Sequence, residues 1–168
     1  IITTKIFWGG TGINEHGLSR KHIQEGLNAS LKRLQLDYVD LVFCHRPDPF
    51  TPTETAVRAM TEVVRSGKAT AWGTSEWSAQ QITEAFWLAR TLGLEPPQFE
   101  QPQYNMLSRE RVEKEYFPLY QAPYRMGTTT WSPLFSGILT GKYNEGIPEG
   151  SRLAQKGYEW LGTLLEQE

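Results

Sequence analysis

The chain of 168 residues contains a single cysteine, Cys44, so no internal disulfide can form and a cysteine-based metal site lacks its ligands. No apolar run approaches the roughly 18 to 20 residues that span a bilayer, which excludes a transmembrane helix and membrane insertion, and no charged-then-apolar signal segment opens the chain. Neither sign of charge dominates. Against 17 Lys and Arg stand 19 Asp and Glu, a formal charge of -2, without the basic stripe that nucleic acid or anionic lipid requires. Only three histidines occur, at spacings unlike a ligand set, which argues against a metal centre. What is present, 39% hydrophobic and 12% aromatic residues, is ordinary globular composition. Small-molecule chemistry in a cytoplasmic setting is the class left to test. The chain opens at Ile1 inside an apolar run and closes on the polar stretch Leu165, Glu166, Gln167, Glu168, the expectation being part of something longer.

Apolar runs of strand length recur at Ile1 to Phe7, Tyr38 to Cys44, Ala69 to Thr74, Gln98 to Gln101 and Met126 to Trp131. Helical patterns lie between them. Ser19 is placed to cap Arg20 to Leu34, where Ile23, Leu27, Leu31 and Leu34 repeat at helical spacing. Thr51 or Thr53 is placed to cap the next, with Val57, Met60 and Val64 inward and Gly67 as the stop. Ser78 precedes a third, with Ile82, Ala85, Phe86 and Ala89 on its inner face and Gly93 at its end. A fourth, less regular, follows Ser108 through Val112 and Tyr116 until Pro118 and Pro123 interrupt it.

Strands alternating with crossover helices predict a parallel sheet. A doubly wound sheet and a (β/α)8 barrel compete, and Gly9, Gly10 and Gly12 do not reproduce the dinucleotide fingerprint of the first. Lys5, His45, Ser75, Gln101 and Trp131 each fall at or just after the C-terminal end of successive strands, the face on which barrel active sites assemble. The reading is therefore a truncated central portion of a (β/α)8 TIM barrel, about five β/α units out of the roughly 250 residues a full barrel takes, with residues 1–168 as one partial barrel domain.

Each candidate has a bland alternative. Lys5 ends a strand, where an ammonium lowers the pKa of a neighbouring tyrosine or simply snorkels. His45 is placed to donate to a substrate carbonyl or to be satisfied by backbone, whereas His16 and His22 read as solvated surface. Trp131 offers a flat platform for a planar ring or packs in the core. Lys142 and Arg152, in a loop punctuated by Gly and Pro, are suited to phosphate or are merely solvated. An aromatic platform, the Gln101 amide, the Ser75 hydroxyl and two cations together favour a dinucleotide site.

Several stretches resemble the aldo/keto reductase family, in its branch related to voltage-gated potassium channel beta subunits: ITTKIFWGG at 2–10, GLSRKHI at 17–23, DYVDLVFCHRPDP at 37–49, WGTSEWSAQQI at 72–82, EQPQYNM at 100–106 and TWSPLFSGILTGKY at 130–143. The resemblance covers essentially the whole chain. It implies an NADP(H)-dependent barrel that reduces an aldehyde or ketone with a tetrad of Asp, Tyr, Lys and His. Lys5 and His45 match the tetrad lysine and histidine, while the family's Asp and Tyr fall upstream of Ile1. Ser75 and Gln101 match the positions that hold the nicotinamide carboxamide, Glu76 beside them is counted among the cofactor-binding residues, and Trp131 matches the aromatic that stacks on its ring. Ser132, Pro133, Leu134, Phe135 and Ser136 match the loop around the pyrophosphate, and Lys142 and Arg152 match cationic phosphate contacts. Where animal channel subunits carry asparagine and arginine, this chain carries His45 and Glu76, which resembles plant or bacterial members and favours reductase chemistry. A channel-regulating subunit that senses NADP(H), assembled as a homotetramer on a potassium channel, is the second expectation. Without its acid, the 168-residue chain alone is expected to be inactive and poorly soluble.

Overall fold

A computed structural model describes residues 1–158 and 160–162; the polar close at 165–168 lies outside the described residues. Five strands, β1 (Thr3–Ile6), β2 (Val39–Cys44), β3 (Ala69–Thr74), β4 (Phe99–Glu100) and β5 (Gly127–Thr128), form one sheet in the order β1-β2-β3-β4-β5. Every pair is parallel. A doubly wound sheet reverses its order partway along; a barrel adds each strand beside its predecessor. The strictly sequential order is the barrel arrangement.

The register sorts the side chains. Lys5 lies opposite Phe43, and Phe43 opposite Gly73, and alternate residues face opposite sides. Phe43, Ala71 and Phe99, with Leu41, make a small apolar cluster on one face. Ile6, Val42, Cys44 and Trp72 join the main core with the helices. Gly73 is where the two considerations meet: a Cβ there would fall 2.2 Å from both the ring and the carbonyl oxygen of Phe99. Its absence lets the Phe99 ring close edge-on against Phe43, with centroids 4.8 Å apart.

Helix α1 (Arg20–Leu34) begins where the Ser19 hydroxyl accepts from the His22 backbone N–H at 3.1 Å. Ile23, Leu27 and Leu31 are buried as the period requires, but Leu34 is 43% exposed, because the chain leaves the helix through left-handed Gln35. His22 also departs from expectation. It is buried beneath the Gly9 loop, whose Cβ would meet the imidazole at 3.2 Å, and its Nε2 has no partner among the described residues. His16 is exposed as expected.

Helix α2 (Thr53–Arg65) is not capped by a threonine. Pro52 holds the cap position without a side-chain bond, and the Thr51 hydroxyl donates instead to Asp48 Oδ2 at 2.7 Å. Asp48 organises that loop, accepting also from the Leu18 and Phe50 backbone N–H groups, so the threonine is drawn to it. Val57 and Met60 are buried and Val64 packs at the core margin.

Helix α3 (Ala79–Leu92) has the full reciprocal Ser78–Gln81 capping box and ends on left-handed Gly93. Its predicted inner face is buried throughout. The fourth crossover is not an α-helix. A single wide turn, Arg111–Glu115, passes into a 3₁₀ turn, Phe117–Tyr120, because Pro118 lacks the N–H and the room an α-helix needs. Buried Tyr116 anchors it by donating its hydroxyl to the Trp77 carbonyl. Both strands flanking that crossover are shorter than their apolar runs.

Candidate functional site

Parallel strands end together, so the residues following β1 to β5 gather along one rim. The His45 backbone N–H donates to the Ile6 carbonyl at 3.0 Å, that of Ser75 to the Cys44 carbonyl at 3.0 Å, and that of Gln101 to the Thr74 carbonyl at 2.8 Å. Each extends the ladder by one residue beyond the strand. The positions of Lys5, His45, Ser75 and Gln101 are thus set by β-sheet hydrogen bonding.

Lys5 is half-buried, its Nζ 5.4 Å from the centre of the Phe43 ring. His45 sits half-buried beside it, with the Trp8 indole edge-on at 6.4 Å. Burial lowers the imidazole pKa to about 4, and the Arg46 and Lys5 charges push in the same direction. The histidine is therefore neutral at pH 7, with one ring nitrogen as donor and the other as acceptor.

Ser75 is buried and donates its hydroxyl to the Gln101 carbonyl at 2.8 Å. Arg46 Nη1 donates to the His45 carbonyl at 2.6 Å and reaches the Ser75 hydroxyl at 3.4 Å, tying the loops after β2 and β3 together. Gln101 donates its side-chain amide to Thr129 Oγ1 at 3.0 Å, which links the ends of β4 and β5. Trp131 is bridged to Gln103 through the backbone and remains 38% exposed. It is not a core tryptophan.

Beyond Trp131 the chain folds back on itself. Ser132, Phe135, Ser136 and Gly137 all have positive φ, and the turn bounds a cleft of about 410 Å³ lined by Ser132, Pro133, Leu134, Ser136, Gly137, Thr140, Lys142 and Arg152. Its lining carries two cations, three hydroxyls and no carboxylate. Neither Lys142 nor Arg152 is in an ion pair among the described residues. Gly137 makes the room: a Cβ there would lie 2.8 Å from Lys142 Cε. Phe135 turns its side chain inward and is buried, so of the predicted loop residues it contributes backbone rather than lining. The two cations and the hydroxyls are the donor set that phosphate needs.

Glu76 stands apart. Its carboxylate accepts from the Gln103 backbone N–H at 2.7 Å, from the Trp131 indole N–H at 2.8 Å and from Arg111 at 2.7 Å. Behind it lies a second carboxyl that no local pattern in the sequence marks. Glu100 is buried, accepts from the Thr74 hydroxyl through one oxygen, and has no partner for the other among the described residues. Burial raises its pKa to about 7, opposed by the hydrogen bonds from Thr74 and the Glu76 backbone and by Arg111, and assisted by the Glu76 charge. Arg111 and Arg46 were equally invisible, since each acts on a residue about 30 or more positions away. Cys44 is free and buried, and burial, with Glu100 nearby, pushes its thiol pKa up. It is no nucleophile.

A sequential parallel sheet with polar residues at its C-terminal rim and a cationic cleft beyond the last strand is the arrangement of a barrel-type site. The sequence profile of the aldo/keto reductase family matches residues 1–166, and the chain belongs to that family, whose fold is the (β/α)8 barrel. It is 60% identical over 164 residues to a protein of Oryza sativa subsp. japonica described as "Probable voltage-gated potassium channel subunit beta", covering 97% of this chain and 50% of the relative. A protein of Arabidopsis thaliana with the same description is 61% identical over 164 residues, again 97% of this chain and 50% of the relative. The chain spans about half the length of the curated relatives it matches. No helix among the described residues is long and apolar enough to cross a membrane.

Proposed function

We propose that the chain forms the cofactor-binding face of an NADP(H)-dependent reductase of aldehydes or ketones. The observation that carries this reading is the carboxylate-free cleft holding Lys142 and Arg152, whose lining begins at Ser132, the residue after the partly exposed Trp131. Bound there, NADPH would supply a hydride to the substrate carbonyl carbon. In this reading Trp131 presents a flat face to the nicotinamide, Ser75 and Gln101 hold its carboxamide, and the Ser132 to Ser136 loop with Lys142 and Arg152 carries the phosphates. Neutral His45 donates a hydrogen bond to the substrate carbonyl oxygen as negative charge develops on it, and Lys5 adds positive charge to support a tyrosine acid contributed from outside residues 1–168.

The names of the relatives support a second reading, a regulatory beta subunit of a potassium channel that binds NADP(H) as a redox sensor, with a homotetramer as its assembly. Fluorescence titration of the full chain with NADPH separates function from its absence. Binding weakened at least tenfold by Arg152→Ala and by Trp131→Ala supports the cofactor site; saturable binding indifferent to both refutes it. Aldehyde-dependent NADPH oxidation favours the reductase, and co-purification with a channel without turnover favours the regulatory subunit.

A further inference from the structure

We propose that Glu76 is a positioning residue, a carboxylate clamp that sets the plane of the Trp131 indole and holds three rim loops in one arrangement. The inference rests on the cofactor reading above for its functional consequence, and on geometry alone for the clamp.

Glu76 follows β3, yet its carboxylate reaches the loops after β4 and β5. Oε1 accepts from the Gln103 backbone N–H and from the Trp131 indole N–H, while Oε2 accepts from Arg111. The Glu76 backbone is left-handed, with φ of 59°, a conformation a residue with a Cβ adopts only at a cost of about 1 kcal/mol or more. The three charge-assisted hydrogen bonds offset that cost. The clamp is sheltered, with only 20% of the Glu76 side chain exposed, so its interactions are weakly screened compared with a surface pair. Arg111 is itself flanked by Glu115 at 3.5 Å and feels the Glu100 charge, which keeps the guanidinium on the acidic side of the rim.

Trp131 shows why a clamp is needed. Its backbone is fixed by the bridge to Gln103, but a backbone bridge leaves the side-chain torsions open. The ring is also more than a third exposed, without core packing on all sides. The indole N–H has one hydrogen to give, and giving it to Glu76 selects a single ring orientation. A stacking platform held in advance does not have to be ordered on binding. Glu76 therefore acts through Trp131, and its own acceptor atoms are already engaged by protein donors.

The test uses full chain labelled with ¹⁵N at its indole nitrogens, the Trp131 resonance being assigned by its disappearance in Trp131→Phe. Glu76→Ala is expected to move the Trp131 indole N–H resonance toward its solvent-exposed position and to weaken NADPH binding by about tenfold, the scale of one hydrogen bond to a charged group. Glu76→Gln retains an oxygen acceptor, and is expected to keep the resonance near its parent position and to restore binding to within about threefold. A Trp131 resonance unmoved in Glu76→Ala overturns the clamp. So does Gln failing to rescue while the other indole resonances stay in place. Displacement of all the indole resonances in Glu76→Ala signals general unfolding, and the decision then falls to Arg111→Met, where the clamp requires a shift confined to Trp131 and a spectrum identical to the parent overturns it. Parent protein that does not bind NADPH sinks the cofactor reading instead, and the indole resonance still decides whether the clamp exists.

Discussion

Glu100 ionises at the expense of the fold. Its carboxyl lies among Thr74, the Glu76 backbone and Arg111, 2% exposed and with one oxygen unpartnered among the described residues. Burial raises its pKa from the ordinary 4.5 to about 7. A raised carboxyl pKa means that the folded chain holds the proton more tightly than the unfolded chain. The associated stability is fully present below pH 4.5 and is lost as pH rises through 7. The gap corresponds to ~3 kcal/mol, at ~1.4 kcal/mol for each tenfold change in proton affinity, or about 6 to 12 °C in melting temperature for a domain of this size. Glu100→Gln removes the titration while keeping an acceptor for the Thr74 hydroxyl. Its amide hydrogens fall where the unpartnered oxygen was, so its absolute stability is offset by an amount that does not vary with pH. The readout is accordingly the difference between parent and variant, followed by thermal melts monitored by circular dichroism from pH 4.5 to 9. That difference is expected to shift against the parent between pH 4.5 and 7 and to level off above about 8. Parallel curves across that window, or a shift in the parent's favour with rising pH, would refute the reasoning.

Two further outcomes follow from the geometry. The His45 ring, whose pKa burial lowers from 6.5 to about 4, should stay neutral through pH 6 and acquire charge only near pH 4, with folding stability falling as pH drops below 6.5; an NMR titration midpoint near 6.5 would contradict its placement. Gly73→Ala should cost about 3 kcal/mol or more, because the new methyl meets the Phe99 carbonyl at 2.2 Å in a strand that cannot yield. Urea denaturation showing a loss below ~1 kcal/mol would mean that β3 and β4 are not so closely apposed.

Local chemistry was legible where a residue answers to its immediate neighbours. Ser19, Ser78 and Gly93 delimit helices as their types suggest, and the inner faces of α1 and α3 follow the period. The rim positions of Lys5, His45, Ser75 and Gln101 were legible too, since a strand end is a local event and parallel strands end on one side. Departures arose where a competing contact outweighed the helical pattern: Thr51 went to Asp48 rather than to the helix, and His22 was covered by the Gly9 loop. The irregularity of the fourth crossover was legible from Pro118, which ended it before an α-helix formed.

By itself, then, the sequence determined the alternation of strands and crossovers, most of the caps, the family and the cationic character of the loop beyond Trp131, all of which depend on residue type and short spacing. The tertiary structure alone decided that Glu76 meets Trp131 across 55 positions, that Glu100 is buried with an unmatched oxygen, and that Lys142 and Arg152 share a cleft. Those are properties of burial and of groups brought together by strand pairing and packing, where the cost of desolvating a charge and the choice of hydrogen-bond partner are set by surroundings that the local sequence does not show.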